Sequence, residues 1–128
     1  MTRKDAYIIV DLRTYQCAVV VTWEPNIDTI IKHVIKKGVE ISKEWKGRFT
    51  NCSQDADGVC MTLGDKNTDI LVWLKNKPLK ARSFGTLYHE LYHAVDHIAA
   101  SHNLETEREA RAYIFEHLIN ACNQVLWA

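Results

Sequence analysis

Residues 83–100, SFGTLYHELYHAVDHIAA, carry helical periodicity, and Ser83 stands where an N-cap is expected. Within them His89-Glu90-Leu91-Tyr92-His93 is an HExxH motif. Four residues advance a helix by slightly more than one turn, so His89 and His93 point the same way, one above the other. Two neutral imidazoles so placed can hold one tetrahedral zinc ion. Glu90 projects beside the metal's open position, where a carboxylate can accept a proton from an activated water and later deliver it to a leaving amine.

A hydrolytic zinc site needs a third protein ligand. His97 lies two turns beyond His89, roughly 12 Å along a straight helix, too far to share one ion. A histidine at the tenth position after His89 is ruled out, because Ala99 stands there. Ser101-His102-Asn103 forms a turn, and from Glu105 to about Val125 a second helix is expected, with Glu105, Glu107 and Glu109 near its positive end. If the two helices are antiparallel, a carboxylate near this turn can fold back towards His93. Glu107 and Glu109 are about 200° apart around that helix, so only one can face the metal. Periodicity leaves the choice open.

Upstream, Ala6–Val10 and Cys17–Trp23 read as a β-hairpin around a turn at Asp11–Tyr15. Ile27–Trp45 shows an apolar helical stripe interrupted by Gly38, capped by Asn26 or Asp28. Asn51–Gly58 is polar and turn-forming. Val59–Leu63 and Asp69–Leu74 form a second hairpin around Gly64-Asp65-Lys66-Asn67, and Pro78 closes it. This order predicts an α+β fold in a single domain over residues 1–128: a small β-sheet, one packing helix, the HExxH helix and a C-terminal helix.

Composition narrows the function further. Sixteen Lys plus Arg balance sixteen Asp plus Glu, which removes the electrostatic reason to expect nucleic acid or an anionic membrane as partner. The apolar run of the N-terminal MTRKDAYIIVDLR is broken by Asp11 and Arg13 without a cleavage site, and no apolar stretch is long enough to span a bilayer. The four cysteines form no CxxC pair and read as thiols of a reducing, cytoplasmic compartment. Cys52 and Cys60 bracket Asp55-Ala56-Asp57-Gly58, which reads as a solvated turn and not as a metal loop. Lys75, Lys77, Lys80 and Arg82 make one short basic face, able to help hold an acidic substrate.

HELYH, a turn, and then Glu109-Ala110-Arg111-Ala112-Tyr113 resembles the HExxH…ExxA arrangement of gluzincin-type zinc peptidases. It is especially similar to small phage- and prophage-encoded metallopeptidases, in which an E-A-x-A-Y segment opens the final helix. The resemblance covers Gly85 to Leu118. It implies a minimal zincin-like domain binding Zn2+, with His89, His93 and Glu109 as ligands, Glu90 as base and a peptide or protein substrate. Many gluzincins carry Asp where Tyr113 stands here, and Glu107-Arg108-Glu109-Ala110 also fits ExxA, which keeps Glu107 as the alternative ligand. Tyr113, one turn after Glu109, is the expected oxyanion donor, ahead of His97, His102 and Tyr92. In zincins an edge strand preceding the motif helix binds substrate by backbone pairing, and Asp69–Leu74 is the expected counterpart. The alternative is a regulatory or protein-binding module with the same shape and a structural zinc. The retained Glu90 favours catalysis, since a structural site has no use for a base.

Overall fold

The computed structural model describes residues 6–64 and 69–127. Strands β1 (Tyr7–Leu12) and β2 (Cys17–Thr22) form the expected antiparallel hairpin, joined by a short 3-10 turn at Arg13–Tyr15. Helix α1 (Ile27–Lys36) follows, its first turn closed by Asn26, whose Oδ1 accepts from the Asp28 and Thr29 N–H groups at 2.9 and 3.1 Å.

The apolar stripe from Ile27 to Trp45 is not one helix: α1 ends at Lys36, residues 37–44 are non-helical, and a second helix starts at Trp45. Gly38, at φ +84°, takes the left-handed conformation that costs glycine no steric clash. Its N–H donates to the Ile35 carbonyl, and the Val39 N–H donates to that of Val34. These two bonds form a Schellman stop. Helix α2 (Trp45–Ser53) then restarts and runs through part of the segment expected as a turn.

Strands β3 (Gly58–Thr62) and β4 (Ile70–Leu74) make the second hairpin; its predicted turn at Asp65–Asn67 lies outside the described residues. The sheet order is β1-β2-β4-β3, with β2 and β4 parallel. Strand β4 is therefore internal, paired on both sides, and the expectation that Asp69–Leu74 offers an edge for substrate is corrected: the edge strands are β1 and β3, of which β3 pairs with β4. The burial patterns agree. Ile70–Leu74 is buried at every position, as a strand covered on both faces must be, whereas β3 alternates.

One face of the sheet packs on α1 and α2, with Ile30, Val34, Trp45 and Phe49 against Val20, Leu71 and Trp73. On the other face lie helix α3 (Ala81–Ser101) and helix α4 (Arg108–Leu126). Leu87, Leu91 and Ile98 of α3 are fully buried there, each stabilising the packed helix by roughly 1.5–3 kcal/mol. This α+β arrangement matches the expected class, with two helices on the α1 side instead of one. Helix α3 begins two residues before Ser83. Ser83 sits inside the first turn, and its Oγ accepts from the Leu79 and Lys80 N–H groups at 3.2 and 3.1 Å. Helices α3 and α4 are antiparallel: Phe84 meets Trp127, Tyr88 bonds Asn123, Tyr92 meets Phe115 and Asp96 bonds Arg111. Among the described residues no helix is long and apolar enough to cross a membrane.

Candidate metal centre

With Leu87, Leu91, Ala94 and Ile98 locked against the sheet, the opposite face of α3 presents His89 and His93 to solvent. Their Nε2 atoms stand 3.2 Å apart and the rings cross edge to face, centroids 4.7 Å apart. Two nitrogens each about 2.05 Å from a tetrahedral zinc ion are separated by roughly 3.4 Å, close to the observed spacing. Glu90 lies on the flank of the helix that faces β3. One ligand atom from each of His89, Glu90 and His93 lies within 4.8 Å of the others, the one such group among the described residues.

Glu90 is only 8% exposed. Burial pushes its carboxyl above the usual carboxylate range, and the neighbouring His89 and His93 partly offset this. A carboxyl so placed holds a proton more readily than one in water, which suits a group that must accept and then return one.

The wall beside Glu90 is a residue the sequence reading passed over. A Cβ placed on Gly58, at the start of β3, would stand 3.0 Å from Glu90 Cγ, 3.0 Å from Thr86 Cγ2 and 3.2 Å from Glu90 Oε2. Only a residue without a side chain lets the free edge strand lie this close to α3. The signal was present, since a lone glycine opening a strand often marks a close backbone approach. Gly58→Val is expected to lower stability by about 1–3 kcal/mol through overpacking and to displace the Glu90 side chain. Urea denaturation of the variant beside the parent chain checks the first effect.

Of the other expected site residues, Glu109 is exposed in the first turn of α4 and Glu107 immediately precedes that helix; neither belongs to the His89–Glu90–His93 group. Tyr113 is 66% exposed on α4. His97 is exposed. His102 is engaged structurally, its Nδ1 against the Ile98 carbonyl and its Nε2 against that of Tyr15, which ties the end of α3 to the β1–β2 connection. From α4, Arg111 is ion-paired with Asp96, one turn past His93.

No protein-family model matches this chain, and comparisons with curated proteins and with solved structures also returned no match.

Cys60 faces α3 from β3, close to Glu90. Burial pushes its thiol up to about 12, with the Glu90 and Asp96 carboxylates adding to the shift; burial does the same for Cys122. The thiolate is the reactive form, so at pH 8 both should resist alkylation while exposed Cys52 reacts. Peptide mass mapping after iodoacetamide treatment is expected to show Cys52 modified in the folded protein, and Cys60 and Cys122 only after denaturation.

Proposed function

We propose that this protein is a zinc-dependent peptidase in which His89 and His93 hold the ion and Glu90 is the general base. The observation that carries the reading is the pair of imidazole nitrogens 3.2 Å apart with a buried carboxylate beside them. Zinc supplies Lewis acidity to water and to the scissile carbonyl. The chain's own residues do the rest. Glu90 takes the proton that attack on the carbonyl releases and passes it to the leaving amine. The apolar packing behind Leu87 and Leu91 keeps the motif helix in place while this happens.

Glu109 is the proposed third ligand. It lies outside the group of three, so its recruitment requires a shift of its side chain or of the connection between α3 and α4 when metal binds. Tyr113 or Arg111 is the proposed donor to the developing oxyanion.

Elemental analysis of the purified chain tests the centre, with about one zinc per chain expected. Glu107→Ala and Glu109→Ala should differ, Glu109→Ala weakening zinc binding and Glu107→Ala leaving it nearly unchanged in a competition titration with a chromogenic chelator. Equal affinities in the two variants would sink the third-ligand assignment.

A further inference from the structure

Beside the His89–His93 centre, the N-terminal end of α3 opens on a groove of about 470 Å³. Its walls include Asp57, Lys77, Leu79, Lys80, Arg82 and Thr86. The volume falls within the roughly 300–1,000 Å³ of small-ligand sites. Three cations face one carboxylate there, although the chain as a whole is neutral. Lys77 is held at the rim, its ammonium 5.8 Å from the centroid of the Trp23 ring. The first turn of a 21-residue helix adds the positive end of its dipole to the same space.

Two residues of the groove wall, Thr86 and Asp57, lie next to the candidate centre. Thr86 lines it and, with Glu90, borders the space that a Cβ on Gly58 would need, while Asp57 lines it from the residue before Gly58. Thr86 lies one turn before Glu90, about 6 Å along the helix, and Arg82 one turn earlier, about 12 Å. An extended peptide rises about 3.3 Å per residue, so these distances correspond to roughly two to four residues.

We propose that this groove is a subsite for the carboxylate side chain of a peptide, receiving an Asp or Glu two to four residues from the bond cleaved at Glu90. The statement about cleavage rests on the peptidase reading; the statement about binding does not. Lys77, Lys80 and Arg82 surround the carboxylate, and Leu79 lies against its methylene groups.

Two measurements test this. The first is fluorescence anisotropy at low salt with a labelled octapeptide alternating Glu and Ala, its Gln counterpart and an oligothymidylate of equal length. It uses the Glu90→Gln chain, to prevent turnover, with and without Lys80→Glu and Arg82→Glu. Acidic side chains suit a helix N-terminus, so these reversals should not unfold α3. The Glu peptide is expected to bind about tenfold more tightly than the Gln peptide. That preference should vanish on charge reversal and weaken as salt is raised. Equal affinities, a preference that survives the reversal, or tighter binding of the oligonucleotide would each overturn the proposal.

The second is digestion of a degenerate peptide library by the parent chain, read by mass spectrometry. Asp and Glu should be enriched two to four residues from the cut. Cleavage without enrichment overturns the subsite and leaves the peptidase reading intact. An acidic-peptide preference in binding, without any cleavage that Glu90→Gln abolishes, supports the groove and removes the peptidase reading.

Discussion

Glu90→Gln is expected to slow peptide hydrolysis by about 10²–10⁴-fold while leaving the zinc content close to that of the parent chain. The amide has nearly the carboxylate's shape, so it fits the same space beside Gly58. It cannot accept a proton, and the lost rate is the proton transfer. Folding should not suffer, because a buried charge is exchanged for a neutral group. Initial rates on a quenched fluorescent peptide pool, with zinc determined on the same preparation, check both halves. A variant that keeps both its zinc and its rate would remove Glu90 from the base role.

His93→Ala is expected to abolish stoichiometric zinc binding. Altering residues that merely support a ligand typically costs 10–100-fold in affinity, so loss of a ligand should cost at least about 100-fold. The readout need not involve activity. Zinc at 100 times its Kd stabilises a folded protein by about 2.7 kcal/mol. For a chain of this size that corresponds to a rise in Tm on the order of 10 °C. The parent should show this rise and His93→Ala should not, although their zinc-free Tm values stay close, since His93 is exposed and outside both apolar cores. An equal zinc response in both proteins would mean that the ion binds elsewhere.

The spacing of His89, Glu90 and His93 was legible in the sequence, because the geometry of one helical turn depends on nothing outside the segment. The hairpins were legible for a related reason: strands a few residues apart pair with each other, and β-branched runs around short turns announce them. Local reading failed where a second segment decides the outcome. Ile27–Trp45 looked like one helix because its stripe resumes after Gly38, and the Schellman stop depends on the φ that Gly38 adopts. Ile70–Leu74 looked like an edge because it precedes the motif helix, although its unbroken burial belongs to an interior strand.

The sequence by itself determined the α+β class, the motif helix with its two histidines on one face, and the carboxylate between them. Tertiary structure alone decided that β4 pairs with distant β2, leaving β1 and β3 as the edge strands, and that a side chain on Gly58 would collide with Glu90. It also decided that Lys77, Lys80 and Arg82 share a groove with Asp57, and that Glu109 stands apart from the histidine pair. The physical reason is that strand order and helix packing arise from burying side chains far apart in the chain, which no local periodicity encodes.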